Sequence, residues 1–174
     1  MNNIHPPILL FVAGKSGSGK TTILEGLIPE LKKKGLRVGT VKHHHSNFTM
    51  DIPGKDSWRH KMAGAEKTII SSPNRIGIVM DVDHDHSPEE LTRFLTDMDI
   101  VLVEGYKGEN LPKVEIFRQE IHKRPLCIQD KNLIAMITDT KLDLSVPRFG
   151  LDDMKELADF IVRYFGIALG KGKI

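Results

Sequence analysis

The sequence predicts an α/β fold: a three-layer sandwich around a mostly parallel sheet, with an antiparallel hairpin at its edge. Continuous apolar runs of strand length, such as 8–12 and 100–103, alternate along the chain with helical patterns. Runs that are apolar throughout are typical of strands buried on both faces, as in parallel sheets. The 174 residues suffice for one domain with its own core, so we predict a single domain over 1–174, with frayed ends at 1–6 and 168–174.

Composition narrows the class of protein. The net charge is +2, with acidic and basic residues interspersed, which predicts no strong electrostatic field for nucleic acid and no nucleic-acid partner. The single cysteine, Cys127, excludes an internal disulfide and suggests a reducing, cytoplasmic location. We expect this thiol to be packed rather than nucleophilic. The start lacks the pattern of a signal peptide, and no apolar run approaches the ~20 residues of a membrane span, so we expect no membrane partner.

A glycine-rich stretch follows the first predicted strand. Residues 14–21 match the pattern G-x-x-x-x-G-K-[ST] at every specified position, and a helical pattern over 20–34 follows, with Ile23, Leu27 and Leu31 on one face. Strand, glycine loop and helix in this order predict a phosphate-binding loop for a nucleoside triphosphate. The residues assigned to nucleotide binding here are Gly14, Lys15, Ser16, Gly17, Ser18, Gly19, Lys20, Thr21 and Thr22.

Each residue type in this loop has a physical role. Glycines lack Cβ, so the backbone can bend tightly and its N–H groups can converge on phosphate oxygens. The start of the helix adds free amide donors and the positive end of its dipole. We predict that Lys20 reaches the β- and γ-phosphates as a catalytic residue, that the Thr21 hydroxyl ligates Mg²⁺, and that Thr22 adds a phosphate contact.

The next elements complete a strand–helix–strand unit. Pro29 should bend the first helix because it removes a backbone hydrogen bond, and 36–42 reads as a second strand, parallel to the first. A polar loop over 42–57 then leaves the carboxyl end of that strand, where open α/β sheets bind ligands. Within it, Asp51 and Asp56 are candidates for holding Mg²⁺ through water or for orienting the attacking water. Ordinary turn chemistry is the alternative for both.

The middle of the chain predicts a short helix over 57–63 and then an antiparallel pair, 66–72 and 75–82, turning at Pro73-Asn74. The sequence Ser-Pro-Glu-Glu at 87–90 is a strong helix start, and this helix should carry Leu91, Phe94 and Leu95 inward.

The run 99–105 predicts a buried parallel strand that carries an acid to the site. An acid at such a strand end assists the metal directly or through water, so Glu104 is the metal candidate, in preference to Asp99 at the strand's beginning. Residues 113–118 alternate like a strand and 133–139 form another buried run. The last helix is predicted over 151–165, with Met154, Leu157, Ala158, Ile161 and Phe165 on its inner face.

Several blocks, in order, resemble the molybdopterin-guanine dinucleotide biosynthesis protein B (MobB) family of phosphate-loop GTPases. They are the phosphate loop with its two threonines, 36–43, Asp51 with 53–57, 63–65, 102–107 and 112–113. The resemblance implies a GTP-binding protein with weak GTPase activity. It further implies a homodimer that assists a MobA-type guanylyltransferase in attaching GMP to molybdopterin, which makes the guanine dinucleotide form of the molybdenum cofactor.

Three further assignments accompany the resemblance. Thr-Lys-Leu-Asp at 140–143 matches the [NT]-K-x-D pattern of many GTPases, in which the aspartate accepts hydrogen bonds from guanine, and Asp139 is the competing candidate. Lys42 and Lys107 are candidates for contacts with phosphate or with the partner's anionic pterin, and ordinary surface lysines are the alternative. In the dimeric branch of these GTPases a lysine at the position of Lys15 reaches the partner's nucleotide; a solvated loop lysine is the interpretation we prefer.

Two histidine-rich segments, 43–45 and 83–86, could bind a transition metal, although a solvated loop is the favoured interpretation of each. Two other functions remain open, and the phosphate loop alone fits the first of them equally well. One is an ATP-dependent small-molecule kinase, which would need an arginine-rich lid that this chain lacks. The other is a non-hydrolysing adaptor in which the bound nucleotide only sets a conformation.

Overall fold

The computed structural model describes residues 6–46, 48–106 and 110–168. The chain divides into two compact units, one formed by the chain up to His43 and from Pro88 onward, the other by His44–Ser87. The prediction of a single domain over 1–174 stays a prediction, and the frayed ends lie almost wholly outside the described residues.

The elements follow the predicted order closely. They are β1 (Ile8–Ala13), α1 (Lys20–Lys33), β2 (Val38–Lys42), α2 (Asp56–Met62), β3 (Lys67–Ser72), β4 (Arg75–Met80), α3 (Pro88–Leu91), a 3₁₀ turn (Thr92–Phe94), β5 (Ile100–Glu104), β6 (Lys113–Ile116), β7 (Leu133–Ile137), β8 (Arg148–Phe149) and α4 (Met154–Tyr164). Among these elements, α1 is the longest, and no helix in the described part of the chain has the length and apolar character needed to cross a membrane.

Six of the strands form one sheet in the order β2-β5-β1-β6-β7-β8, and every neighbouring pair is parallel. The strand–helix–strand unit is therefore confirmed as parallel, although β5 lies between β1 and β2 and pairs with both. Because all strands run the same way, their carboxyl ends lie along one edge of the sheet. This is the edge at which such sheets bind ligands.

The core explains why β1 is apolar throughout. Side chains alternate between the two faces of a strand, so Leu10 and Val12 pack with the cluster that contains α1 and α4, whereas Phe11 packs on the other face with Leu95 and Met98. Burying each large apolar side chain contributes about 1.5–3 kcal/mol. A polar residue at any of these strand positions would thus cost a similar amount.

The two longer helices cover one face of the sheet together. The predicted inner face of α4 is confirmed: Leu157, Ala158 and Ile161 are fully buried, while Met154 packs at the margin of the same cluster. Helix α1 continues through Pro29, and its lysine-rich last turn is followed by Gly35 in the left-handed region. A glycine there suits the end of a helix because it accepts this conformation without a Cβ clash.

The second unit contains α2 and the antiparallel pair β3–β4, in which Ile69 lies opposite Ile78. The hairpin is present as predicted. It forms a two-stranded sheet of its own, which corrects its predicted position at the edge of the parallel sheet. Within the unit, Lys61 of α2 forms an ion pair with Asp81 and donates a hydrogen bond to the carbonyl oxygen of Ala65 at 2.8 Å.

One local prediction was wrong. The helix that begins at Pro88 ends after one turn, and the change to a 3₁₀ turn leaves Phe94 half exposed, so only Leu91 and Leu95 are partly covered. The strand predicted at 113–118 is confirmed as β6, and it is buried along its whole length, including the charged side chains of Lys113 and Glu115. Both charges are buried because each has a partner in the segment after β6.

Candidate functional site

The glycine loop joins the end of the central strand β1 to the start of α1. Gly14, Gly17 and Gly19 have φ values of 149°, 80° and 91°, a region that favours glycine. At Gly14 a Cβ would lie 2.6 Å from Ser18 Oγ and 2.8 Å from the carbonyl oxygen of Ile116. The loop therefore needs glycine at its first position for space as well as for conformation.

Lys20 stands in the first turn of α1 and lies back across the loop. Its Nζ donates hydrogen bonds to the carbonyl oxygens of Gly14 at 2.8 Å and of Lys15 at 2.9 Å. Burial lowers the pKa of its amine, and the positive charge of Lys42 lowers it further. Two cations are thus directed towards the same part of the sheet edge, where phosphate oxygens would stabilise both.

Glu104 ends β5, which is the strand between β1 and β2. In its pairing with β1, Glu104 lies opposite Val12, two residues before the glycine loop. In its pairing with β2, it lies opposite Lys42. Its carboxylate is buried: one oxygen forms an ion pair with Lys42, and the other, Oε2, has no hydrogen-bond partner among the described residues. A buried carboxylate oxygen without a hydrogen-bond partner is a suitable ligand for Mg²⁺, which prefers oxygen donors.

The chain immediately after Glu104 makes a close contact with the end of β2. Gly105 has a φ of 99°, and a Cβ there would lie 2.3 Å from the carbonyl oxygen of His43. The His43 N–H donates to the carbonyl oxygen of Glu104 at 2.9 Å, and the His43 ring lies 4.2 Å from the ring of Tyr106. Backbone contact and ring stacking together fix the position of the two strand ends.

The remaining loop residues are available to a ligand at the surface. Thr21 and Thr22 are exposed in the first turn of α1, as are Lys15, Ser16 and Gly17 in the loop. Thr21 lies one residue beyond Lys20, in the first turn of the helix, where its hydroxyl is open to solvent. The exposed Thr21 hydroxyl and the unpaired Glu104 oxygen are oxygen donors of the kind that Mg²⁺ requires, and their roles as its ligands stay predictions.

The loop after β7 carries the candidates for base recognition. Thr138 is buried, and its Oγ1 accepts the N–H of Thr140 at 3.0 Å, while the Thr140 hydroxyl donates to Asp139 Oδ1 at 3.1 Å. Asp139 and Asp143 are both exposed, and Leu142 between them packs partly against a small cluster under the sheet. Asp139 lies nearer to the end of the strand and is held by its neighbour.

Asp51 and Asp56 belong to the second unit and are described within it. Asp51 Oδ1 accepts the N–H of Ile52 at 2.8 Å and the hydroxyl of Ser57 at 3.0 Å, which is turn chemistry. Asp56 begins α2 with an exposed side chain, 3.9 Å from Arg59. The roles predicted for these two residues stay predictions, and Lys107 lies outside the described residues.

The histidine segments show local contacts. The rings of His84 and His86 stack at 4.1 Å, and His84 Nδ1 lies 2.6 Å from Asp83, which lowers the pKa of that carboxyl. Within the described ranges no group of three or more histidine, cysteine or acidic side chains is arranged to hold a metal ion.

Sequence reasoning missed two features of the site. The pairing of Lys42 with Glu104 depends on β5 lying beside β2, and no local pattern contains that information. The buried Glu115 was also missed; its carboxylate accepts the N–H groups of Leu126 at 2.6 Å and Cys127 at 2.8 Å. A charged residue inside a short apolar run was the available signal. Burial beside this carboxylate raises the pKa of the Cys127 thiol to about 11, which disfavours the reactive thiolate.

Comparison with known proteins identifies the family to which the chain is similar. Residues 8–139 match the family model described as molybdopterin guanine dinucleotide synthesis protein B. The chain is 42% identical over 165 residues to the molybdopterin-guanine dinucleotide biosynthesis adapter protein of Haemophilus influenzae, covering 92% of this chain and 90% of that protein. It is 39% identical over 166 residues to the protein of the same description from Escherichia coli, covering 91% of this chain and 93% of that one.

Solved structures give the same result for the fold. The crystal structure of Bacillus subtilis MobB superposes with a TM-score of 0.71 at 29% identity, over 90% of this chain and 96% of that chain. A second structure, of molybdopterin-guanine biosynthesis protein B, gives a TM-score of 0.70 at 27% identity, over 90% and 99%. The glycine loop, the buried acid on the neighbouring strand and these similarities over nearly the whole chain lead to one conclusion: the protein belongs to the molybdopterin guanine dinucleotide synthesis protein B family.

Proposed function

We propose that the protein is a GTP-binding, weakly hydrolysing accessory of molybdenum-cofactor biosynthesis, acting where the molybdopterin guanine dinucleotide is made. The observation that supports nucleotide binding most directly is the folded glycine loop, with Lys20 against its carbonyls and Glu104 beside it. The relatives named above are described as adapter proteins of this biosynthesis, which supports the pathway.

The roles of the residues follow from their chemistry. Backbone N–H groups of the loop would hold the phosphates, and Lys20 would leave the loop carbonyls for the stronger, charge-assisted contact with phosphate oxygens. Thr21 and Glu104 would hold Mg²⁺, which when bound neutralises charge on the β- and γ-phosphates. Lys42 would orient the Glu104 carboxylate through their ion pair.

Slow hydrolysis is consistent with what surrounds the loop. Two acids of the strands beside β1 lie close to the loop, and both already have partners: Glu104 pairs with Lys42, and Glu115 accepts the N–H groups of Leu126 and Cys127. Asp51 and Asp56, from the other unit, remain our candidates for orienting the attacking water. Turnover should therefore lie far below the ~1–100 s⁻¹ of kinases.

Competition between nucleotides tests the proposal. Purified protein is titrated with a fluorescent GTP analogue and Mg²⁺, and unlabelled GTP or ATP is added as competitor. We expect GTP to displace the probe at much lower concentration than ATP. The variants Asp139→Asn and Asp143→Asn, tested in parallel, should identify the acid that selects guanine. Equal competition by ATP would refute guanine selection and favour the kinase hypothesis.

The partner and the oligomeric state are part of the same proposal. We expect a homodimer that contacts a MobA-type guanylyltransferase, and a coupled assay with molybdopterin should show faster dinucleotide formation when this protein is added. The control is Lys20→Ala, which should lose both nucleotide binding and stimulation. Stimulation that persists with Asp51→Asn and Asp56→Asn, with hydrolysis unchanged, would favour the adaptor in which nucleotide only sets a conformation.

A further inference from the structure

A second pocket lies beside the glycine loop, between Lys15 and Ser18 of the loop and the segment that follows β6. Arg118, His122 and Arg124 of that segment also line it. We propose that this pocket binds a phosphate monoester, separately from the triphosphate held by the loop.

The polar groups of the pocket have hydrogen-bonding capacity left over. Ser18 is only 2% exposed, yet its Oγ has no hydrogen-bond partner among the described residues. The buried Nε of Arg118 is likewise without a partner there, while its other end pairs with Glu120. A buried hydroxyl or N–H that lacks a partner is unfavourable by about 1–3 kcal/mol, and an anion in the pocket would satisfy both groups.

The charge of the pocket is positive. No ion pair joins Lys15 or Arg124 to a carboxylate within the described ranges. The acid that does line the pocket, Glu115, is already occupied by two backbone N–H groups. Two cations and an unused hydroxyl around one space match the oxygens of a phosphate, and arginine is the side chain best shaped to hold two of them.

The pocket is also held rigidly enough to be a site. Glu115 on the buried strand β6 binds the N–H groups of Leu126 and Cys127, and Lys113 on the same strand pairs with Asp130. The segment between β6 and Leu126 contains a turn, in which the N–H groups of Ile121 and His122 donate to the Arg118 carbonyl oxygen at 3.0 Å. The cationic side chains are therefore presented from a segment anchored to the sheet.

Apolar side chains in the lining of the pocket favour an ester over free phosphate. Phe117 is buried, whereas Ile121 and Leu126 line the same pocket and are 42% and 49% exposed. An organic body attached to the phosphate would cover these exposed apolar groups, which free phosphate cannot do. We therefore expect an aromatic phosphate monoester to bind more tightly than inorganic phosphate.

The test uses protein whose glycine loop is filled. Full-length protein is saturated with a non-hydrolysable GTP analogue and Mg²⁺ and then titrated calorimetrically with phenyl phosphate, with inorganic phosphate and with phenol. We expect one equivalent of phenyl phosphate to bind, more tightly than inorganic phosphate, and phenol not to bind. Arg124→Gln and Ser18→Ala should each weaken binding by about tenfold, since a charged hydrogen bond is lost in the first and a polar contact in the second.

The matched control is Arg163→Gln, which removes an exposed arginine from α4 and should leave phosphate binding unchanged. Arg124→Lys keeps the charge without the two-pronged geometry and should lie between the wild type and Arg124→Gln. Thermal unfolding of each variant separates a folding defect from a lost contact. Loss of all phosphate binding on nucleotide saturation would overturn the proposal, and so would equal binding by Arg124→Gln.

The same experiment separates this proposal from that of GTP binding. If the protein binds no GTP analogue, phenyl phosphate is titrated into Lys20→Ala and Arg124→Gln proteins without nucleotide. Binding that survives in the first and weakens in the second supports the pocket even though the proposed nucleotide has failed. Binding that is lost only in the first assigns the phosphate to the glycine loop and refutes a separate pocket.

Discussion

Replacement of Gly105 by alanine tests how the strand ends that carry Glu104 and Lys42 are held together. An L-residue in a left-handed backbone conformation costs about 1–2 kcal/mol. The Gly105 Cβ would in addition lie 2.3 Å from the His43 carbonyl oxygen and 3.1 Å from its carbon, and both atoms belong to the backbone. Because a backbone cannot yield as a flexible side chain does, overpacking should add about 1–3 kcal/mol.

Gly35→Ala is the matched control. Gly35 also has a positive φ, 84°, but nothing lies within 4 Å of the position that its Cβ would occupy. The free energy of unfolding of this variant should therefore fall only through the strained backbone conformation. The net decrease should be about 1 kcal/mol, because the less flexible unfolded chain offsets part of the strain. The difference between the two variants isolates the close approach to His43, and we expect it to be about 1–3 kcal/mol.

Urea unfolding followed by circular dichroism measures the difference. For an m-value of about 2 kcal/mol/M, the midpoint of Gly105→Ala should fall about 0.5–1.5 M below that of Gly35→Ala. His43 directly follows Lys42, so a displaced His43 should disturb the ion pair to Glu104, and Mg²⁺-dependent nucleotide affinity should fall in Gly105→Ala alone. Equal midpoints for the two variants would show that the strand ends are not in the tight contact described here.

Three further outcomes are expected. Lys20→Ala should lose at least tenfold in nucleotide affinity, measured by fluorescence titration, because a charge-assisted phosphate contact is removed. With a pKa of about 11, Cys127 should be only about 0.1% thiolate at pH 8, so iodoacetamide should label the native protein far more slowly than the same chain in urea. The pKa of Asp130 is lowered, chiefly by its hydrogen bond from Lys113; the pair should stabilise the fold above the unfolded pKa of about 4 and lose its effect as the pH falls through the lower folded value. Asp130→Asn should therefore have a lower urea midpoint than the wild type at pH 7, and the two midpoints should converge in acid.

Local patterns predicted the parts of the fold that depend on local physics. The glycine loop, α1 and the inner face of α4 follow from spacing within a few turns, so Lys20, Leu27 and Leu157 could be placed from the sequence. The buried runs of β1, β5 and β7 could be recognised because a strand covered on both faces leaves no polar position. The parallel sheet then followed from their alternation with helices.

Sequence reasoning falls short at positions whose burial or helix length depends on residues distant in the sequence. The strand at β6 was predicted, but the burial of Lys113 and Glu115 could not be, because it depends on 126–130 folding back to pair with them. Phe94 fitted the inward face of a longer helix, but the helix ends at Leu91 and the face is lost. Strand β8 has two residues, too few for any periodic signal.

The register of β5 is what makes Glu104 a site residue. Neighbouring strands lie about 4.8 Å apart, so an acid opposite Val12 stands next to the start of the glycine loop. A shift of one residue would turn the side chain to the other face of the sheet. That register is imposed by the apolar residues of β5, whose members pack on alternate faces: Leu102 against the helices, Val101 and Val103 on the opposite side. The packing of the core and the position of the proposed metal ligand therefore share one cause, and substitutions inside β5 should affect stability and Mg²⁺ affinity together, whereas substitutions in the loop after β7 should affect only the choice of base.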